Sequence, residues 1–208
     1  MKAVTTLLLA AVLWPSVAQS ATPDNQFALK GVGRLTCEQF LTERTAGSEV
    51  YWNIGGWIDG YASAYNAYVP ETYDISAHAP GTAADTLSVF MARHCEQNTQ
   101  DPIGLVLKSL LDRLHAIRIT DRSDVTTVAV NGETYHVYAS VLRHVQQTLI
   151  RDGYYDGAPD GKFGPKLQTA LREYQAAAGM PATGAPTQAT MVRILFADLS
   201  ANPATAAR

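Results

Sequence analysis

The sequence predicts a mainly helical protein in which two helical domains are joined by a short β-hairpin. Apolar residues recur every three or four positions from Leu35 to Leu114 and again after Ala139, the spacing of helices that bury one face. Between these stretches, from Val125 to Tyr138, the period changes to two and is interrupted by an Asn-Gly pair. Alternation around Asn-Gly is typical of two strands joined by a tight turn.

Four helices are expected in the first domain, and their start signals can be read from the sequence. Thr36 is followed three residues later by Gln39, the pattern of a capping box that opens a helix. A second helix follows, and the third is expected to start near Thr82. Asp101 is the expected N-cap of the fourth helix, with Pro102 at its first helical position.

The first 20 residues have the pattern of a signal peptide. Lys2 precedes the apolar run Ala3–Trp14, which is too short to cross a bilayer because a spanning helix needs roughly 20 residues. Small residues follow, and cleavage is expected after Ser20. No later stretch is apolar enough to span a membrane. We therefore expect a periplasmic or secreted protein, the alternative being an uncleaved anchoring helix.

The chain has two cysteines, Cys37 and Cys95, and an exported protein leaves the reducing cytoplasm. We therefore expect a disulfide between the first and third helices. A metal site would need more ligands at short spacing, and the sequence shows none. A nucleophilic cysteine is the weaker alternative, because neither neighbourhood suggests an activated thiolate.

The charge balance argues against nucleic acid as a partner. Lysine and arginine number 16 against 19 acidic residues, a net charge of −3, and the basic residues are scattered. Phosphate binding requires a cationic surface instead. With 47% hydrophobic residues the chain can form a core, but residues 198–208 are too small and polar to order themselves and are expected to form a disordered tail.

Three further helices, punctuated by glycines, are predicted in the C-terminal part. The first is expected to end at Gly153, and the second to run from Pro165 to Gly179. Residues 138–197 contain an ordered series of spaced positions: Gln146, Leu149, Gly153-Tyr154-Tyr155, Asp160-Gly161, Phe163-Gly164, Ala170-Leu171, Tyr174-Gln175, Gly179, Thr183-Gly184, Thr190 and Leu195.

This series resembles the peptidoglycan-binding domain 1 family. The resemblance implies a three-helix module that binds peptidoglycan, as a muramyl peptide or as glycan, without cutting it. Tyr174 stands where the family usually has Phe, and Thr187 where Asp often caps the last helix.

Six residues are the candidates for ligand contact once apolar and glycine positions are assigned to the core and to turns: Tyr154, Tyr155, Asp156, Lys162, Arg172 and Gln175. Aromatic faces stack on sugar rings, and amide or charged groups pair with the polar groups of a muramyl peptide. We expect these residues to form a shallow groove. Alternatively, one of the two tyrosines packs against the second helix of the module. No metal or cofactor is expected.

No catalytic pattern stands out in the first domain. The histidines lack the ligand spacing of a zinc amidase, and His94 next to Cys95 is the one adjacent pair that an L,D-transpeptidase could use. A lytic transglycosylase or muramidase would need a general acid. Four glutamates have the right side chain for this role, but no surrounding pattern indicates it: Glu38, Glu43, Glu49 and Glu71. We therefore expect a protein that is not an enzyme.

The first domain loosely resembles small periplasmic four-helix proteins of the HdeA acid-stress chaperone type. The similar residues are the run 37–41, Trp57 with Gly60-Tyr61, and Cys95 ahead of an Asp-Pro helix start, although the insertions between helices are longer here. The resemblance implies a helical domain that handles protein partners, for example an envelope protein.

The sequence thus predicts a non-catalytic peptidoglycan-binding envelope protein that localises a helical interaction domain to the cell wall. The alternatives are a peptidoglycan hydrolase or a periplasmic acid-stress chaperone targeted by the same module. The predicted order is a signal peptide at 1–20, the helical domain at 21–118, a hairpin connector at 119–137, the peptidoglycan-binding domain at 138–197 and the tail at 198–208.

Overall fold

The computed structural model describes residues 22, 26–77 and 83–201, with side chains up to residue 195. These residues form seven α-helices and one antiparallel hairpin, in the order α1 (Cys37–Ala46), α2 (Glu49–Tyr68), α3 (Ala84–Cys95), α4 (Ile103–Leu114), β1 (Val125–Val130), β2 (Glu133–Tyr138), α5 (Ala139–Arg151), α6 (Pro165–Ala177) and α7 (Gln188–Ala201). The predicted mainly helical fold is confirmed. No helix in this described part has the length and apolarity needed to cross a membrane.

Two predictions concern the ends of the chain. The expected signal peptide lies outside the described residues. The prediction of a disordered tail at 198–208 does not hold for residues 198–201, because α7 continues as a helix to Ala201. The remainder of that segment is also outside the described residues.

Helices α1 to α4 share one apolar core. The capping box predicted at the start of α1 is confirmed: Thr36 Oγ1 accepts from the Gln39 backbone N–H at 3.3 Å, and Gln39 Oε1 accepts from the Thr36 N–H at 2.9 Å. The interior of this bundle is lined by fully buried side chains from all four helices: Cys37, Phe40, Ile54, Ile58, Leu87, Met91, Cys95, Ile103, Leu107, Leu111 and Leu114.

The predicted disulfide is confirmed. Cys37 at the start of α1 and Cys95 at the end of α3 are bonded, and both side chains are buried. Backbone hydrogen bonds bring α4 to the same place, because the Cys37 N–H donates to the Asp101 carbonyl at 2.9 Å. The crosslink therefore lies where three of the four helices meet.

The start of α3 differs from its prediction. The helix begins at Ala84, two residues after the expected position at Thr82. Asp59 on α2 provides the cap, because its Oδ1 accepts hydrogen bonds from the backbone N–H groups of Ala83 at 2.7 Å and Ala84 at 2.9 Å. An N-terminal N–H of a helix needs an acceptor, and here the acceptor comes from a distant helix instead of a local residue.

The start of α4 also differs by one residue. Pro102 is the N-cap, and Asp101, the predicted cap, lies one residue further out. The Asp101 Oδ2 is instead 2.8 Å from His94 Nε2 at the end of α3. Because Cys95 is in the disulfide, it offers no thiol beside His94.

The hairpin forms with the predicted turn. Strands β1 and β2 pair from Val125 with Tyr138 to Val130 with Glu133, and the connecting Asn131 and Gly132 have φ angles of 54° and 82°. Two positive φ angles in a two-residue loop are typical of a type I′ turn.

One face of the hairpin is buried against the C-terminal module. Val128 and Val130 form a small cluster with Ala185, and Phe163 packs against it. The hairpin therefore covers the C-terminal module in addition to linking it to the helical domain.

A buried polar contact joins the helical domain to the module. Tyr138, at the start of α5, donates its hydroxyl hydrogen to Asp74 Oδ2 at 2.7 Å. Burial, followed by this hydrogen bond, raises the pKa of the Tyr138 hydroxyl. Asp74 Oδ1 accepts from the Ser76 N–H at 2.8 Å, so both carboxylate oxygens have donors. Ala77 and Ile119 continue the contact as apolar members of the module core.

Replacing both cysteines, Cys37→Ala with Cys95→Ala, is expected to lower the free energy of unfolding by about 4 kcal/mol. The physical reason is that the bond joins residues 58 positions apart and restricts the unfolded chain. Urea unfolding followed by circular dichroism measures the effect. The wild-type protein in reductant serves as control and should show the same loss, whereas an unchanged midpoint in both samples would contradict the expectation.

Candidate functional site

A buried amide holds the loop between α5 and α6. The Gln146 side chain is fully buried, and its Oε1 accepts from the Gly161 N–H at 2.7 Å. Its Nε2 donates to Asp160 Oδ1 at 2.9 Å and to the Lys162 carbonyl at 3.0 Å. Gly161 has a φ of +75°, and a Cβ there would lie 2.5 Å from the Ala139 carbonyl oxygen. Only glycine therefore fits at position 161. The three hydrogen bonds of the Gln146 side chain hold the loop in a single conformation.

Gln175 repeats the arrangement in the loop between α6 and α7. Its Oε1 accepts from the Gly184 N–H at 2.7 Å, and its Nε2 donates to the Ala185 carbonyl and to Thr190 Oγ1, both at 2.9 Å. Gly184 also has a positive φ, +70°. The predicted ligand role of Gln175 is therefore corrected, because its fully buried amide is already occupied by the protein.

An open groove of about 530 Å³ lies between the fixed loop and one face of α6. We call it the loop groove. Three of the six predicted ligand residues line it, namely Tyr154, Tyr155 and Asp156 from the loop. The polar residues of its other wall, Lys166, Thr169 and Glu173 from α6, were not predicted.

The two tyrosines of the loop groove are held in place. The Tyr154 ring packs edge-on against Tyr174 of α6, with centroids 5.7 Å apart and planes at 90°. This is the packing that the alternative interpretation expected for one of the tyrosines. The Tyr155 hydroxyl lies 3.5 Å from Gln146 Nε2 and 3.5 Å from the Ala158 carbonyl. Both rings remain half-buried, so part of each stays open to the groove.

The rim of the loop groove carries charges of both signs. Lys166 Nζ donates to Asp156 Oδ1 at 3.0 Å, and this hydrogen bond, reinforced by the positive charge, lowers the pKa of the Asp156 carboxyl group. Lys166, Thr169 and Glu173 are spaced three and four residues apart on one face of α6. This spacing, visible in the sequence, indicates that the three side chains share one face of a helix. The sequence alone does not indicate which face of α6 packs beside the loop.

The structure does not bring the other predicted residues into the loop groove. The Lys162 backbone is engaged in fixing the loop, through its carbonyl with Gln146 and its N–H with Asp160 Oδ1 at 2.9 Å. Its side chain is exposed but does not line the groove. Arg172 is exposed on a different face of α6, close to Gly184.

His94 and His115 lie in separate contacts. His94 pairs with Asp101, and His115 Nδ1 is 2.9 Å from the Tyr65 hydroxyl. Burial, with the positive charge of Arg118, lowers the pKa of His115. Within the described ranges, no three His, Cys, Asp or Glu side chains lie close enough together to hold a metal ion.

Residues 139–194 match the family model of the peptidoglycan-binding domain 1 family, described as a putative peptidoglycan binding domain. The family resemblance predicted for the C-terminal part is confirmed over these residues. The matched segment contains α5, α6, both glutamine-fixed loops and the loop groove. It supports peptidoglycan as a partner and association with the cell wall. No curated protein and no solved structure gives a significant match to the chain.

The variant Gln146→Leu is expected to lower the free energy of unfolding by about 3 kcal/mol, because it leaves the Gly161 N–H and the Lys162 carbonyl without their partner. Urea unfolding measures the change. The matched control is Gln147→Leu, at the exposed neighbouring position, with an expected change within about 0.5 kcal/mol. Equal losses in the two variants would show that the buried amide has no special role.

Proposed function

We propose that this protein is a non-catalytic peptidoglycan-binding envelope protein that uses the loop groove to hold its helical domain at the cell wall. The observation that carries the proposal is the position of the groove: it lies within the segment that matches the peptidoglycan-binding family and is lined by two tyrosine rings and by charged side chains. A periplasmic or secreted location, predicted from residues 1–20, is part of the proposal.

The groove has the chemistry that a muramyl peptide or glycan requires. The open part of the Tyr155 ring offers a surface for a sugar ring, and Tyr154 supports the same wall through its contact with Tyr174. Asp156 and Lys166 can exchange their mutual ion pair for the amides and carboxylates of a stem peptide. The pair is exposed, so this exchange costs little desolvation.

A preformed groove suits a repetitive polymer. Because Gln146 fixes the loop before the ligand arrives, binding does not have to order that segment. The groove is open to solvent. We therefore expect it to accept an internal segment of an extended chain without a free end. Both properties support binding to an intact wall.

The non-catalytic part of the proposal is supported by the state of the residues that a hydrolase or transpeptidase would need. Cys95 is bonded to Cys37, and His94 is paired with Asp101 on the surface. The groove itself contains Asp156 and Glu173, but Asp156 is fully exposed and its pKa is lowered, which is the opposite of what a general acid requires.

The helical domain is proposed to hold a protein partner from the envelope. Support comes from α2, which exposes Trp52 to 71% and Tyr68 to 83%. Large aromatic rings exposed at this level are typical of interaction surfaces. The sequence of residues 37–41, similar to that of HdeA-type proteins, points in the same direction.

The central test is co-sedimentation of the purified chain with sacculi at low salt and neutral pH. We expect binding by the wild type and a loss of about tenfold or more in affinity for Thr169→Trp, whose bulky ring fills the groove from an exposed helix position. The matched control is Gln147→Trp, exposed on α5 and outside the groove. A wild-type protein that stays in the supernatant, or equal binding by both variants, contradicts the proposal.

A second test addresses catalysis. When the wild-type chain is incubated with purified sacculi, we expect no release of soluble muropeptides, measured by liquid chromatography of the supernatant. A lysozyme digest of the same sacculi is the positive control. Release of fragments by the protein would favour the alternative of a peptidoglycan hydrolase delivered by the module.

A further inference from the structure

A second cleft, of about 770 Å³, lies between α3 of the helical domain and the C-terminal module. We call it the interdomain cleft. Its apolar wall is formed from both sides, by Val89 and Phe90 of α3 and by Met180 and Val192 of the module. Because neither domain contains the whole cleft, it exists only where the two are in contact.

The wall of the interdomain cleft contains a polar group without a partner. Thr86 is only 3% exposed, and its Oγ1 has no hydrogen bond to any residue in the described part of the chain. A buried hydroxyl without a partner is unfavourable and rare in folded proteins. The Oγ1 atom is closed to solvent, but Thr86 lines the cleft, so a rotation about its Cα–Cβ bond would turn the hydroxyl towards a ligand there that provides the missing partner. A ligand with amide groups meets this requirement better than a purely aliphatic chain does.

The charged residues of the interdomain cleft are both arginines. Arg93 comes from α3, where its guanidinium lies over the Phe90 ring at 5.8 Å from the centroid. Arg193 comes from α7 and hydrogen-bonds to the Tyr174 side chain. No acidic side chain of the described residues lines the cleft. Two guanidinium groups without a facing carboxylate favour an anionic ligand, and arginine pairs especially well with carboxylates.

We propose that the interdomain cleft binds the free carboxylate end of a short peptide with small apolar side chains. Arg93 and Arg193 pair with the carboxylate, Thr86 bonds to a peptide amide, and the apolar wall contacts the side chains. Stem peptides of peptidoglycan have this chemistry, so the assignment of the occupant rests on the proposed function. The helical domain thereby becomes part of the wall-binding surface and contributes a site that the family module alone does not contain.

The experiment is a calorimetric titration of the full chain with a synthetic peptidoglycan stem peptide that has a free C-terminal carboxylate. We expect Arg93→Gln to weaken binding by about tenfold or more, because it removes a charge-assisted contact. Amidation of the peptide C-terminus should weaken binding to the wild type by a similar factor. Thr86→Val, which removes the unpartnered hydroxyl at nearly constant volume, should weaken binding without lowering the urea midpoint.

The matched control is Arg113→Gln, which removes an exposed arginine of α4 outside the cleft and should leave the affinity unchanged. Equal affinity of the wild type and Arg93→Gln for the peptide overturns the inference, as does equal affinity for the free and amidated peptides. Decanoate is the second probe, and binding of decanoate without binding of the peptide also overturns the proposed occupant.

The two proposals can fail separately. If the wild type sediments with sacculi but does not bind the soluble peptide, the interdomain cleft is not a stem-peptide site and the loop groove remains the binding surface. If the wild type binds the peptide through Arg93 but ignores sacculi, the cleft proposal is supported while the proposed wall anchoring is wrong.

Discussion

The C-terminal module depends on one interaction that occurs twice: a buried glutamine amide that bonds to a glycine N–H in the following loop. Gln146 fixes Gly161, and Gln175 fixes Gly184, each N–H to Oε1 distance being 2.7 Å. Three short helices bury little apolar surface, so the loops between them need another source of order. A buried amide with all its hydrogen bonds formed provides it, because any other loop conformation leaves polar atoms unpaired in the core.

The loop groove is a consequence of the first of these interactions. With the α5–α6 loop held from inside by Gln146, residues 154–156 run across the face of α6, and Asp156 lies opposite Lys166. The module thus separates two tasks along one loop: its inner residues satisfy the core, and its outer residues form an exposed surface for a ligand. Rigidity of the inner part lowers the entropic cost of binding at the outer part.

In the helical domain, bonds between residues far apart in the chain hold the helices in place. The Cys37–Cys95 bond ties α3 to α1, and Asp59 caps α3 from α2, so α3 is held at both of its ends. The hydrogen bond from Tyr138 to Asp74 then ties the helical domain to the first residue before α5. Together these contacts place α3 beside the module, and the interdomain cleft exists because of that placement.

The sequence by itself determined the features that depend on neighbouring residues: the helical periodicities, the capping box of Thr36, the Asn131-Gly132 turn and the spaced series that marks the family. It also indicated the disulfide, since only one pairing of two cysteines is possible. Tertiary structure decided the rest. Gln175 was expected at a ligand and is buried in the core, while Lys166 was overlooked and faces the loop groove. The physical reason is that a side chain with polar atoms can satisfy them in solvent, in a ligand or in a distant loop, and only the packing of residues far apart in the chain selects among these environments.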